Sequence, residues 1–213
     1  MAILTIRGQM GSGAHKIGKL AAERLNFDYV DREIIAGVAK KLNITSQEVQ
    51  LKESPPSSLM NRITEIIAGV YSYNPACPDI TQPTWHPPLD DASYLETLEN
   101  VIKKIAASGS VVICGRGSQF ILKDNPNAFH VLIIAPVEYR FHRTMHDLGL
   151  DVVAARKEIE RSDGCRRAFT KRFFHAELED PIHYDLTINT ARFEPESAAD
   201  VIVQAMSLKK PEI

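Results

Sequence analysis

The stretch Ile3-Leu4-Thr5-Ile6-Arg7-Gly8-Gln9-Met10-Gly11-Ser12-Gly13-Ala14-His15-Lys16-Ile17 constrains the fold more than any other part of the chain. A short apolar run leads into a glycine-rich turn, and an amphipathic segment follows at once. That order predicts a strand, an anion-cradling loop and a helix. Gly8 and Gly13 stand at the two glycine positions of the pattern G-x-x-x-x-G-K-[ST], with Gly11 as an extra glycine. Glycines let the backbone wrap an anion and turn successive N–H groups inward, and the helix start adds partial positive charge. The pattern then breaks. Ala14 takes the lysine position and His15 the hydroxyl position. Lys16 lies about 200° round a helix from the lysine position, so it is no simple substitute. A tight strand-to-helix turn with no ligand is the competing reading of these residues alone.

The rest of the chain alternates in the same way. Ile17, Leu20, Ala21 and Leu25 form one apolar helix face, with Lys16, Lys19, Glu23 and Arg24 opposite and Asn26 as the stop. Phe27 to Val30 predicts a second strand, and Asp31 caps a helix to about Leu42. Thr45-x-x-Glu48 is a capping-box pattern that opens another short helix. Residues 52–92 differ in kind, holding seven of the twelve prolines and the only tryptophan, Trp85. A helix over roughly Ser57 to Val70 interrupts a stretch that otherwise predicts a long loop, of the kind that serves as a lid or binding segment. His86 beside Trp85 is either a base or sugar contact or a loop anchor.

Ser93-x-x-Glu96 caps the next helix, which ends near Gly109. Val111 to Cys114 is an unbroken β-branched run, the mark of a strand covered on both faces, and Gly115-Arg116-Gly117 follows its end. Phe129 to Ala135 is a second buried run. Pro136 then opens a helix that carries Tyr139 and the basic cluster Arg140, His142 and Arg143, and ends near Gly149. Asp151 caps a helix to about Asp163, and a separate basic helical stretch is expected from Cys165 to Phe174. Tyr184 to Asn189 is the last strand and Pro195 to Met206 the closing helix. Together these predict a three-layer α/β/α fold with a five-stranded, mostly parallel sheet, a Pro-rich insertion and a basic helical lid.

Composition narrows the class. The 213 residues suffice for one α/β domain, expected to span residues 1–213, and 44% hydrophobic with 24% charged residues is ordinary for a globular chain. A net charge of −2 gives no general reason to expect nucleic acid or an anionic membrane as partner. No apolar run approaches the roughly 20 residues needed to span a bilayer. Three widely spaced cysteines, Cys77, Cys114 and Cys165, together with the lack of a leader pattern, predict a reduced, cytoplasmic protein.

Right-handed crossovers bring the strand C-termini to one edge, where ligands bind. The glycine loop, Asp31, Gly115-Arg116-Gly117, Pro136 and Asn189-Thr190 each follow a strand on that edge. Between the last two strands, Arg156 to Arg172 holds seven Lys/Arg against three Asp/Glu. Such a segment is either a solvated basic face or a set of guanidinium groups that close on phosphate. Phosphoryl transfer asks for that second arrangement, because it needs positioning and positive charge more than covalent chemistry.

The ordered set of motifs resembles the cytidylate kinase-like family, relatives of the nucleoside monophosphate kinases with the phosphate-loop kinase fold. The resemblance is carried by Gly11-Ser12-Gly13-Ala14-His15-Lys16-Ile17, Tyr29-Val30-Asp31-Arg32-Glu33-Ile34-Ile35, Val112-Ile113-Cys114-Gly115-Arg116-Gly117 and Ala135-Pro136-Val137-Glu138-Tyr139-Arg140. Arg161-Ser162-Asp163 and Tyr184-Asp185-Leu186-Thr187-Ile188-Asn189-Thr190 complete it. It implies transfer of the γ-phosphoryl of ATP, with Mg²⁺, to a nucleoside monophosphate such as CMP or dCMP. By it, Gly8, Gly11, Ser12, Gly13, Ala14, His15 and Lys16 hold the ATP phosphates. Asp31 and Arg116 lie on the acceptor side, with Arg116 gripping the acceptor phosphate. Arg161, Arg166, Arg167 and Arg172 are the catalytic lid arginines in a segment of about 151–180, and residues 52–92 are the acceptor-binding insertion. No metal ligand is assigned.

The departures from the family pattern are the lysine and hydroxyl positions of the loop, and Gly117, where cytidylate kinases carry an aspartate. The kinase-like branch commonly lacks the lysine too. Arg7, His15 or a lid arginine is the candidate compensating charge. Two alternatives stand beside the kinase reading: a regulatory module that binds nucleotide without turnover, and a kinase of another small metabolite.

Overall fold

The computed structural model describes residues 2–31, 34, 37, 40 and 90–209. Five strands form one sheet: β1 (Ile3–Gly8), β2 (Asp28–Val30), β3 (Val111–Cys114), β4 (Ala128–Ile134) and β5 (Leu186–Asn189), in the order β2-β3-β1-β4-β5. Every pairing is parallel, with Ile3 opposite Val111 and Ala128, and Val131 opposite Leu186. The expected mostly parallel sheet is thus parallel throughout. Parallel strands need crossovers, so helices cover both faces. The inner strands β1, β3 and β4 are largely buried, whereas the edge strands β2 and β5 carry exposed polar positions.

The helices are α1 (Ala14–Leu25), α2 (Asp91–Ser108), α3 (Ser118–Ile121), α4 (Val137–Leu148), α5 (Val152–Phe174) and α6 (Pro195–Leu208), with a 3₁₀ turn at Pro181–His183. Successive strand side chains point to opposite faces. Val111 and Ile113 enter a core with Tyr94, Leu98, Ile102 and Phe173 from α2 and α5. Val112 and Ile6 enter the other, with Ile17, Ala21, Ala22, Ala198, Ala199 and Ile202 from α1 and α6. Each fully buried Ile or Leu contributes about 1.5–3 kcal/mol, so these two layers hold the sheet edge that carries the loops.

Local signals placed most ends correctly. Asn26 adopts the left-handed C-cap conformation at φ 54°, Gly149 does so at φ 62°, and the Asp151 carboxylate accepts from Ala154 N at 2.8 Å. The start of α2 differs from expectation. Asp90 caps it, accepting from Ser93 N at 2.8 Å and Ser93 Oγ at 2.7 Å, so the helix begins before the Ser93-x-x-Glu96 pattern. The two expected helices on either side of Gly164 are one continuous helix, α5. Glycine costs a helix only about 1 kcal/mol, and Ile159, Asp163, Thr170 and Phe173 bury a single unbroken face across it. Of the helix expected from Asp31 to Leu42, Ile34, Gly37 and Lys40 are helical. The short helix at Thr45, the helix at Ser57 and the Trp85-His86 pair lie outside the described residues.

Candidate active site

The turn from β1 to α1 can be built by glycine alone. Gly11 and Gly13 have φ of 76° and 85°, and a Cβ on Gly11 would stand 2.5 Å from the Arg140 carbonyl oxygen. A Cβ on Gly8 would collide with the Ala14 Cβ, and one on Gly13 with Arg143 Nη1. The turn is braced from outside. Gln9 N donates to Ile133 O at 3.1 Å, Met10 N to Asp163 Oδ1 at 3.0 Å, and Thr190 Oγ1 to Ser12 O at 2.8 Å. Among the described residues the amides of Gly11, Gly13 and Ala14 donate to no backbone acceptor. The Ser12 hydroxyl is fully buried and has no partner there. A rigid turn that presents amides and an orphaned hydroxyl at a helix start is what a phosphate chain requires.

Positive charge gathers around it. Arg7, at the end of β1, has a buried Nε with no partner among the described residues, and burial together with the nearby Arg166 lowers its pKa to about 10. Arg166 reaches from α5 to donate to Gly8 O at 3.1 Å. Its pKa is also lowered, mainly by burial, with Asp163 opposing that and the charges of Arg116 and Arg140 adding to it. Arg140 is buried on α4. It donates to Asp163 Oδ2 at 2.5 Å, to Met10 O at 3.1 Å and to Ala135 O at 3.1 Å. Arg143 donates to Ser12 O at 3.3 Å and lies over the Tyr139 ring at 5.1 Å. Gathered guanidinium groups with depressed pKa values are stabilised when an anion arrives.

Gly115, Arg116 and Gly117 have φ of 74°, 59° and 70°, three left-handed residues in a row. A non-glycine residue there costs on the order of 1 kcal/mol or more, and such strain concentrates at functional turns. The ring of Phe174 fills the space that a Cβ on Gly117 would need.

The expected site residues therefore divide. Gly8, Gly11, Ser12, Gly13 and Ala14 build the turn, and Arg116 and Arg166 stand at the same edge. Lys16 points away, paired with Glu196 on α6 at 3.0 Å. His15 turns toward Tyr29 and Asp31, with Nδ1 at 3.1 Å from Tyr29 Oη and 3.4 Å from Asp31 Oδ2. Three of the lid arginines are engaged elsewhere. Arg161 pairs with Glu158 at 2.6 Å, Arg167 with Glu179 at 4.0 Å, and Arg172 with Asp91 at 2.7 Å. Four residues absent from the expected set hold the turn: Arg140, Arg143, Asp163 and Thr190. The signal for Asp163 was its spacing from Ile159 and Arg166, i+4 and then i+3 on one helix face.

A five-stranded parallel sheet with helices on both sides and a glycine turn after its central strand is the fold class of the small α/β kinases. Shikimate kinase from Bacteroides thetaiotaomicron matches with a TM-score of 0.53 at 14% identity, covering 97% of this chain and 99% of that one. An uncharacterized protein from Eubacterium ventriosum matches with a TM-score of 0.67 at 20% identity, covering 98% and 99%. Within that class the chain belongs to the Cytidylate kinase-like family, whose profile matches residues 3–192. The cytidylate kinase of Archaeoglobus fulgidus is 24% identical over 208 residues, 97% of this chain and 96% of that protein.

Proposed function

We propose that this chain is a nucleotide kinase that transfers the γ-phosphoryl of ATP to a nucleoside monophosphate, CMP or dCMP, as one domain over residues 1–213. Residues 52–92 serve as the acceptor-binding insertion and about 151–180 as the lid. One observation carries the reading: the Arg166 head lies at the Gly8 carbonyl, and Gly8 packs against Ala14, the residue in the lysine position. The positive charge missing from the loop is supplied from α5.

The glycine turn takes the polyphosphate on the amides of Gly11, Gly13 and Ala14. Arg166 and Arg7 meet the charge that develops on the transferred group, since donors fixed before reaction need no reorganisation during it. Arg116, held in a strained turn at the end of β3, grips the acceptor phosphate, and Asp31 bonds the acceptor nucleoside. Arg140 and Asp163 are positioning residues that lock the turn to α4 and α5. Mg²⁺ takes oxygen ligands in octahedral geometry, and His15 at the hydroxyl position offers nitrogen instead. His15 is therefore not a Mg²⁺ ligand in the scheme, and the ion arrives chelated by ATP.

Incubation of the pure protein with Mg-ATP and a panel of nucleoside monophosphates tests the reading. Faster ADP formation with CMP or dCMP than with other acceptors is the expected result. ADP formation no faster with any acceptor than without one removes the kinase reading, and calorimetric ATP binding without product would replace it with a non-catalytic nucleotide-binding module. Gly13→Val is expected to lower ATP affinity at least about tenfold, because a β-branched residue resists positive φ and its Cβ evicts Arg143 from the turn. The flexible arginine head gives way, and the remaining cost is backbone strain confined to the turn.

A further inference from the structure

Beside the phosphate turn, three elements converge on one nitrogen. His15 lies in the first turn of α1, Asp31 follows β2, and Cys114 ends β3. The β2–β3 register pairs Val30 with Ile113, which sets Asp31 and Cys114 side by side as the next step of the ladder. His15 Nδ1 stands 3.4 Å from Asp31 Oδ2 and 3.8 Å from Cys114 Sγ, with Tyr29 Oη at 3.1 Å. Tyr29 reaches it because Gly18 leaves room for the ring, which a Cβ there would approach to 2.9 Å. The donor atoms of His15, Asp31 and Cys114 all lie within 4.8 Å of one another.

Tyr29 Oη can donate to Nδ1, but one ring nitrogen carries at most one proton and cannot also serve the carboxylate and the thiol in the same tautomer. A metal ion takes the nitrogen, the carboxylate oxygen and the sulfur together, with Tyr29 outside that set. Tetrahedral bonds of about 2.3 Å to sulfur, about 2.05 Å to nitrogen and about 2.1 Å to oxygen put S and N about 3.6 Å apart and N and O about 3.4 Å apart. The observed separations of 3.8 and 3.4 Å are close to those edges. Hydrogen bonding alone gives similar distances, so chemistry must separate the two. A nitrogen, a sulfur and a single carboxylate oxygen suit zinc and its analogues and do not suit Mg²⁺ or Ca²⁺, which take oxygen.

We propose that His15 Nδ1, Asp31 Oδ2 and Cys114 Sγ form a binding site for one zinc-class divalent cation, with a fourth position open to water or a ligand oxygen. The ion would tie the start of α1 to the ends of β2 and β3. It would also occupy Asp31, so in the kinase reading it blocks the acceptor nucleoside. That consequence rests on the proposed function. Metal binding itself does not, and its test uses no nucleotide.

The full chain, stripped with a chelator, is titrated with Co²⁺ and followed by absorption. One Co²⁺ per chain is expected, with a sulfur-to-cobalt charge-transfer band, lost on adding Zn²⁺ and kept in excess Mg²⁺. Cys114→Ser should abolish the band and Cys165→Ser should retain it. His15→Ala should weaken Co²⁺ at least about 100-fold, beyond the usual loss of an outer partner. The His15 side chain is 61% exposed, so that variant keeps its fold. No charge-transfer band in the full chain overturns the proposal, as does a band that survives His15→Ala or follows Cys165 or Cys77 instead of Cys114.

Discussion

The arginines around the turn and those on the outside of α5 are the same residue type doing different work. Arg140 and Arg166 have side chains 9% and 27% exposed and reach the turn itself. Arg161 and Arg167 are 63% and 52% exposed and pair with carboxylates at the surface. Helix phase decides which is which. Ile159, Asp163, Arg166, Thr170 and Phe173 follow one another at i+4 and i+3 steps along the packed face, and Arg161, Arg167, Lys171 and Arg172 fall between them. A basic segment is therefore two populations, and its charge count says little about how many members meet a ligand.

The contrast breaks first at Asp163. It neutralises the buried Arg140 guanidinium and accepts from Met10 N. Asp163→Asn is expected to cost about 3–5 kcal/mol in denaturant unfolding, the range for a buried ion pair that loses one partner. Glu158→Gln, which removes the carboxylate paired with the exposed Arg161, is expected to cost less than about 1 kcal/mol. Equal losses would mean that burial does not separate the two groups.

Next comes turnover. Arg166→Ala is expected to lower kcat by about 10²–10³, as for other preorganised charge donors, and Arg161→Ala is expected to leave kcat within about threefold. Measuring both at saturating Mg-ATP and acceptor sharpens the division. If Arg161 matters as much as Arg166, the lid closes further than the described geometry implies, and the outer arginines rejoin the site.

Arg7 turns the comparison around, because a residue that serves a ligand can weaken the unliganded fold. Its guanidinium is disfavoured by burial and by Arg166, and among the described residues its Nε lacks a partner. Arg7→Met should stabilise the unliganded protein by about 1 kcal/mol, since apolar replacement of a poorly compensated buried ion is neutral or stabilising. The same change should weaken ATP about tenfold or more, the worth of a hydrogen bond to a charged group. A lower Tm with unchanged ATP affinity would make Arg7 structural.

The sequence made the architecture legible because strands buried on both faces read as continuous apolar runs, and Asn26, Gly149 and Asp151 punctuate helices through local chemistry. The turn was legible too, since positive φ leaves glycine as its signature. What sequence reasoning did not resolve was direction. Splitting α5 at Gly164 lost the phase that carries Ile159 through Asp163 to Arg166, so four arginines looked equivalent. Arg140 and Arg143 were visible as a basic cluster, yet nothing within α4 reveals that Met10 O and Ser12 O are their acceptors, 130 and 131 residues away. Thr190 was legible as a residue of the ligand edge, but not its bond to Ser12 O, which spans 178 residues.

The smallest effect belongs to Arg172, and it tests the outer population on its own terms. Its guanidinium meets both carboxylate oxygens of Asp91 at 2.7 Å, joining the end of α5 to the start of α2. Two parallel bonds are the best geometry an exposed pair can have. The side chains are nevertheless 36% and 45% exposed, where water screens the attraction and ordering two side chains costs entropy. Arg172→Ala should therefore cost about 0.2–1 kcal/mol. The loss should shrink as salt rises toward 1 M, where the Debye length falls to about 3 Å. Because the pair holds Arg172 away from the turn, kcat should change less than about threefold, against the 10²–10³ expected for Arg166. A large fall in kcat for Arg172→Ala with unchanged stability would show that the Asp91 pair opens during turnover and that Arg172 then moves to the phosphate.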